Sequence, residues 1–281
     1  MEIIKTPQEM QHWARNNRPA SRRGFVPTMG ALHQGHETLI QHSRQNNDQT
    51  VLSIFVNPTQ FNVASDYEKY PRNDTRDLAI AEHHGVDVVY MPSADEMYPE
   101  NFRSFVEPGI ASDPMEGAGR PGHFRGVTTV VTKLFHAVSP DIAYFGKKDY
   151  QQLAVIRQMV TELNFPITIE GVETVRDEDG LALSSRNARL SPSARADAPI
   201  IFQALSDVRE LFDAGTRQCD VLLEAFKKSL SRSSLISLEY ATISDARSLV
   251  EITQIDDDAV LCVAAWYDDV RLIDNIELHP H

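Results

Sequence analysis

Short, almost wholly apolar runs alternate with amphipathic ones through the first part of the chain. Residues 22–27 lead into Thr28-Met29-Gly30, a strand ending in a turn, and residues 32–43 follow with a helical pattern. The run TVLSIFV at 50–56 is β-rich and nearly all apolar, as a strand buried on both faces must be. Asn57-Pro58 stops it. Residues 74–84 read as a helix, and 86–91 (VDVVYM) as a strand closed by Pro92. Between 127 and 138, Val127, Val130, Val131, Leu134, Phe135 and Val138 share one face at the helical period, and Pro140 ends that helix. Residues 142–145 form a short predicted strand, turned by Gly146. Asp149 can cap the next helix, whose apolar face is Leu153, Ile156, Val160 and Leu163. Residues 166–172 return as a strand.

Strands alternating with helices, with the strands apolar throughout, predict an α/β fold with a parallel sheet covered by helices on both faces. Ligands in such sheets bind beyond the carboxyl ends of the strands. After about residue 175 the pattern changes. RDEDG is a charged turn and LSSRN a polar loop. Ser191-Pro192 opens a long predicted helix to 214, with Pro199 as an irregularity, and a second helix covers 220–230. Runs at 238–243, 260–267 and 270–276 are β-rich. We therefore expect a domain at 1–175 and a smaller C-terminal α+β domain at 176–281.

Composition narrows the class. Of 281 residues, 42% are hydrophobic and 24% charged, which excludes a mostly disordered chain. The longest apolar run, 259–267, is far short of the ~18 residues of a membrane span. The N-terminal segment lacks a basic-then-apolar secretory pattern. The net charge of −13 argues against broad binding to nucleic acid or anionic membrane. Cys219 and Cys262 are too few for a disulfide framework and suit buried thiols in a reducing compartment. A cytoplasmic location is expected.

Candidate chemistry stands on the predicted turns. In PTMGALHQGH (27–36) a strand ends, Gly30 turns the chain, and a helix begins with His33 and His36 three residues apart, on one face. Gly35 removes a side chain between them, so that a flat ligand can approach the backbone. Free N–H groups and the positive helix end favour phosphate, and two imidazoles add donors where charge grows in a transition state. For zinc, no nearby set of Cys or Glu completes a tetrahedral site with the two histidines. In FVNPTQF (55–61), Asn57 and Gln60 can read a hydroxyl and a carboxylate, although Asn-Pro is also simply a good turn. EGAGRPGHFRGV (116–127) gathers Glu116, Arg120, His123 and Arg125 on a glycine-rich loop, either a solvated surface loop or a lid. FGKKDYQQL (145–153) sets Lys147 and Lys148 at a helix N-terminus, where the macrodipole disfavours them and a polyphosphate would explain them. DGLALSSRN (179–187) offers Ser184, Ser185 and Arg186, which alone form an ordinary polar loop. Together, His33, His36, Lys148 and Arg186, each cationic or able to become so, make a local positive cluster in an anionic chain, suited to a nucleoside triphosphate.

These motifs, with YPR at 70–72, resemble in order and spacing the pantothenate synthetase (pantoate–β-alanine ligase) family. The resemblance runs from about Pro27 to Asn187. His33-Gln34-Gly35-His36 is similar to the His-Ile-Gly-His signature of a wider nucleotidyltransferase superfamily whose fold is Rossmann-like. The resemblance implies ATP-dependent condensation of pantoate with β-alanine through a pantoyl adenylate, releasing AMP and pyrophosphate. It implies His36 and His33 as catalytic histidines, with Lys148 and Arg186 chosen here for phosphate charge. Met29, Gly30, Ala31, Leu32, His33, Gln34, Gly35 and His36 would line the ATP site. Gly146, Lys147, Lys148, Asp149, Val175, Leu183, Ser184, Ser185 and Arg186 would complete it. Gln60 and Gln152 would hold pantoate, and Gln60 would lie beside β-alanine. Mg²⁺ is expected with the triphosphate, and a homodimer by resemblance.

Two positions depart from the family pattern. Lys147 stands where an acidic or neutral polar residue is common, which brings an extra cation near the phosphates or a side chain pointing away. Arg76 stands where some members pair two acids for magnesium, leaving Asp77 alone there. The competing reading is another nucleotidyltransferase that adenylylates a phosphorylated cofactor precursor, which needs the His-x-Gly-His turn but neither VNPTQF nor RPGHFRG. A non-catalytic ATP-binding protein would not need intact His33, His36, Lys148 and Gln60.

Overall fold

The computed structural model describes residues 1–17, 21–62 and 67–280. The chain forms two compact units, one of Met1–Lys147 with Val155–Val172, the other of Lys148–Ala154 with Glu173–His281.

The first unit is built on six strands: β1 (Glu2–Ile4), β2 (Arg23–Thr28), β3 (Gln49–Ile54), β4 (Val88–Tyr90), β5 (Ile142–Gly146) and β6 (Thr168–Val172). They form one sheet in the order β1-β4-β3-β2-β5-β6, and every pairing is parallel. Its longer helices are α1 (Pro7–Asn16), α2 (Gln34–Asn46), α3 (Asp74–His83) and α4 (His123–Val138), followed by α5 (Tyr150–Glu162). The period of two along β2 explains the two faces. Val26 packs with Leu52, Leu39 and Ile40 on one side, while Phe25 meets Phe135 of α4 edge-on at 6.3 Å on the other. Strands β2, β3 and β4 run outward in one direction, and β5 and β6 lie on the other side of β2. The reversal falls between β2 and β5, which is where a parallel sheet opens a crevice at its carboxyl edge.

Strand β1 and helix α1 are additions to the elements expected from the apolar pattern. α4 begins at His123, four residues before the predicted start, because its first turn carries the polar end of the glycine-rich loop rather than its apolar stripe. Asp149 lies in a 3-10 turn, Lys147–Asp149, directly before α5.

In the second unit, α6 (Pro192–Asp197), α7 (Ile200–Asp213) and α8 (Cys219–Leu230) cover one face of an antiparallel sheet of β7 (Ile236–Asp245), β8 (Ala259–Tyr267) and β9 (Val270–Leu278). The single long helix expected after Ser191 is two helices. Pro199 has no N–H to donate back into the preceding turn, so the chain breaks there. Val208, Phe212, Leu222 and Phe226 pack against Leu261, Val263, Ala265 and Tyr267. Lys148–Ala154 also belongs to this unit: Asn275 Nδ2 donates to the carbonyl of Lys148 at 2.9 Å, and the Tyr150 hydroxyl donates to the carbonyl of Ala246 at 3.2 Å. Cys219 and Cys262 are free and buried, and burial pushes the Cys219 thiol up to about 11. Among the described residues no helix is long and apolar enough to cross a membrane.

Candidate functional site

The turn after β2 is held by its neighbours. The Thr28 hydroxyl donates to the carbonyl of Ser53 at 2.7 Å and accepts the N–H of Gly30 at 3.2 Å. Gly30 sits at φ +80°, and a Cβ there would lie 3.0 Å from an Asp77 oxygen. Ala31 follows at φ +50°, a left-handed conformation that costs a non-glycine residue roughly 1–2 kcal/mol. The carboxylate of Asp77 holds it there: one oxygen accepts the N–H of Ala31 at 2.8 Å, the other that of Leu32 at 2.8 Å. Asp77 lies in the first turn of α3 and is 1% exposed.

His33 is the N-cap of α2, one residue outside the helix, rather than a member of its first turn. Its Nδ1 accepts the N–H of Gly35 at 3.1 Å, and Nδ1 of His36 accepts the N–H of His33 at 3.4 Å, a reciprocal cap. The two rings lie 4.1 Å apart between centroids at 44°. A backbone N–H can only donate, so both Nδ1 atoms carry lone pairs. Each ring is therefore the neutral tautomer with its proton on Nε2, an assignment made from the hydrogen-bond network. A Cβ on Gly35 would come within 2.9 Å of the His33 ring, so the missing side chain makes room for that imidazole. Gln34 is exposed at the first helical position.

The tip of β3 carries the second cluster. Asn57 caps the 3-10 turn Pro58–Gln60 and is 1% exposed; Gln60 is 8% exposed. Asn57 Nδ2 donates to Gln60 Oε1 at 3.0 Å and to the carbonyl of Gly126 at 3.1 Å. Gln60 Nε2 lies 3.3 Å from the sulfur of Met29. Phe55 N–H bonds the carbonyl of Thr28 at 3.0 Å, tying the two strand tips together. The ring of His123 donates from Nδ1 to the Gln60 carbonyl at 2.9 Å, and Arg120 approaches His123 Nε2 at 3.3 Å. Gly126 is required here, because a Cβ would fall 2.5 Å from the carbonyl oxygen of Thr59. Three sequence motifs, PTMG, NPTQ and RPGHFRG, thus meet around Gln60. Tyr98, whose hydroxyl donates to Asn57 Oδ1 at 2.7 Å, belongs to the same cluster and had no sequence signal. Burial pushes its phenol up to about 12.

Gly146 and Lys147 stand at the tip of β5. In the second unit, Leu183 N–H bonds the carbonyl of Val175 at 2.9 Å across the RDEDG turn. Ser184 caps the 3-10 turn Ser185–Arg189 by accepting the N–H of Arg186 at 3.2 Å. Lys148 and Ser184 line one cavity of this unit with Asn187, Phe202 and Asp274. Ser185, Arg186 and Asp149 are exposed and Gln152 half-buried.

Among the described residues no three His, Cys, Asp or Glu side chains converge as a metal site. Asp77, the expected magnesium ligand, has each oxygen bound to a backbone N–H.

A six-stranded parallel sheet with a capped helix N-terminus and two tilted imidazoles beside its strand-order reversal places the chain among α/β proteins with a site at the carboxyl ends of the strands. The family model for pantoate-beta-alanine ligase matches residues 2–277, and the chain belongs to that family of ligases. It is 48% identical over 277 residues to the pantothenate synthetase of Chloroflexus aggregans, covering 98% of this chain and 99% of that one. It is 45% identical, over the same length and shares, to that of Heliobacterium modesticaldum. The crystal structure of pantothenate synthetase from Thermus thermophilus superposes with a TM-score of 0.92 at 44% identity, covering 100% of each chain. Pantoate-beta-alanine ligase from Francisella tularensis, solved with beta-gamma ATP and beta-alanine, gives 0.79 at 34% identity, covering 98% of this chain and 97% of that one.

Proposed function

We propose that this chain makes pantothenate from ATP, pantoate and β-alanine. The pantoate carboxylate attacks the α-phosphorus of ATP, forming pantoyl adenylate and expelling pyrophosphate. The amine of β-alanine then attacks the acyl carbon and AMP leaves. The logic is chemical: a free carboxylate is anionic and has no good leaving group, and adenylation supplies one. The enzyme's part is positioning, charge stabilisation at phosphorus and exclusion of water from the adenylate.

The observation that carries this reading is the contact of Met29 with Gln60 at 3.3 Å. It makes the histidine turn of β2 continuous with the buried amide of β3, so that one surface can take a phosphate and a hydroxy acid side by side. In this reading the Nε2–H groups of His33 and His36 stabilise the α-phosphate, and the turn from Met29 to His36 lines the ATP site. The family resemblance assigns ATP contacts also to Gly146, Lys147, Lys148, Asp149, Val175 and Leu183 to Arg186, with Lys148 and Arg186 chosen for phosphate charge, and assigns pantoate to Gln60 and Gln152, with β-alanine beside Gln60. Mg²⁺ would accompany the triphosphate and neutralise its charge; Asp77, buried and turned to the Ala31 and Leu32 N–H groups, would contribute to the shape of the turn. A cytoplasmic homodimer accords with the free buried thiols and the family; light scattering tests the dimer. The competing adenylylation of a phosphorylated precursor is not favoured, because the family match extends over both VNPTQF and RPGHFRG.

The test is AMP release that requires both pantoate and β-alanine, with ATP–pyrophosphate exchange on pantoate alone. Absence of both, beside an active relative, overturns the reading.

A further inference from the structure

We propose that Tyr98 is a positioning residue for this reaction: its hydroxyl begins a one-way chain of hydrogen bonds, through Asn57 to Gln60, that turns the Gln60 amide so that its N–H₂ faces the acid substrate. The inference rests on the reading of Gln60 as part of the pantoate site.

The polarity of the chain follows from two backbone groups that have only one role each. The N–H of Thr59 can only donate, and it meets Asn57 Oδ1 at 3.4 Å. The carbonyl of Gly126 can only accept, and it meets Asn57 Nδ2 at 3.1 Å. The Asn57 amide therefore has one orientation. Its two N–H groups go to Gly126 and to Gln60 Oε1, and its oxygen takes the hydroxyls of Tyr98 at 2.7 Å and Thr59 at 2.9 Å. A saturated, buried amide has nothing left for a ligand. What it does is fix Gln60. With Oε1 held inward, Nε2 points the other way. Its partner there among the described residues is the thioether sulfur of Met29, a weak acceptor that a ligand oxygen displaces readily.

Each donation in the chain polarises the next amide, so the Tyr98 hydroxyl strengthens the terminal donor as well as orienting it. The phenol is seated by the rings of Phe102 at 5.1 Å and Phe55 at 6.3 Å, with the Lys133 ammonium 5.7 Å above it. Burial keeps it protonated through the working range, so it remains a donor. The group of the hydroxy acid that Gln60 meets is consequently an acceptor, a carboxylate oxygen or a hydroxyl lone pair, rather than a hydroxyl proton.

The experiment is a double-mutant cycle of Tyr98→Phe and Gln60→Ala, with KM for pantoate and for ATP read separately and melting temperature as a folding control. Loss of one link predicts a pantoate KM raised about fivefold to tenfold in Tyr98→Phe, with ATP KM unchanged. In the Gln60→Ala background the same change has no further effect, because Tyr98 acts only through that amide. Thr59→Val, which removes the other hydroxyl from the same oxygen, shows the same pattern and serves if Tyr98→Phe folds poorly. If Gln60→Ala raises pantoate KM while both hydroxyl variants are silent, or their effects add to it fully, the relay is wrong and the pantoate site stands. If Gln60→Ala leaves pantoate KM untouched, the reading of the site fails and the relay with it.

Discussion

The Asp77 carboxylate accepts the backbone N–H of Leu32 at 2.8 Å, and its second oxygen accepts that of Ala31. A side chain 45 residues further along the chain thereby shapes the histidine turn. Asp77→Ala orphans two N–H groups in or near the interior, at about 1–3 kcal/mol for a buried donor left unpaired, and releases Ala31 from its left-handed conformation. Lower melting temperature together with a raised KM for ATP is expected, read by thermal unfolding and steady-state kinetics. An unchanged melting temperature would remove Asp77 from this role.

His36→Ala is expected to lower kcat ~10²-fold or more, with a smaller effect on KM for ATP, as for a donor that matters most in the transition state. It also deletes the acceptor that caps the His33 N–H, a loss of roughly 0.5–2 kcal/mol in stability. Undiminished turnover would leave the histidine only its capping role.

Gly126→Ala drives a methyl group toward backbone, 2.5 Å from the Thr59 oxygen and 2.8 Å from Gln60 Cα. The 3-10 turn must move, and the bond from Asn57 to the Gly126 carbonyl with it. Pantoate KM is expected to rise about tenfold, by the loss of one to two hydrogen bonds, with ATP KM affected less. Equal increases in both would mean that the turn does not serve the acid alone.

The tyrosines set an alkaline limit. Burial raises the Tyr98 phenol from 10.0 to about 12 and also raises Tyr90 and Tyr267. Above pH 10 the unfolded chain loses these protons while the folded one keeps them, so the unfolded state is favoured progressively. The stabilisation is complete below pH 10 and, for Tyr98, is lost as pH climbs to about 12. Urea unfolding between about pH 9 and about pH 12 should show this decline, and Tyr98→Phe should make it shallower. A slope identical to that of the parent chain would contradict the assignment.

Much of this protein was legible in one dimension. Short continuous apolar runs marked the strands from β2 to β6 and period-3.6 patterns the helices between them, because burial on two faces of a parallel sheet demands unbroken runs. The ordered motifs pointed to the family before any contact was visible. Other features depended on atoms far apart in sequence. His33 lies outside the helix because its own ring caps it. Asp77 carries no mark in the sequence of what it faces, and only the fold brings its carboxylate to Ala31 and Leu32. Tyr98 sits in a loop with no periodicity, and its meeting with Asn57 depends on how β3 and the segment after β4 end side by side. Sequence determines which residues must be buried and which turns are possible. The direction of each hydrogen bond, and so the face that Gln60 presents, is set only when distant backbone donors and acceptors converge on one amide.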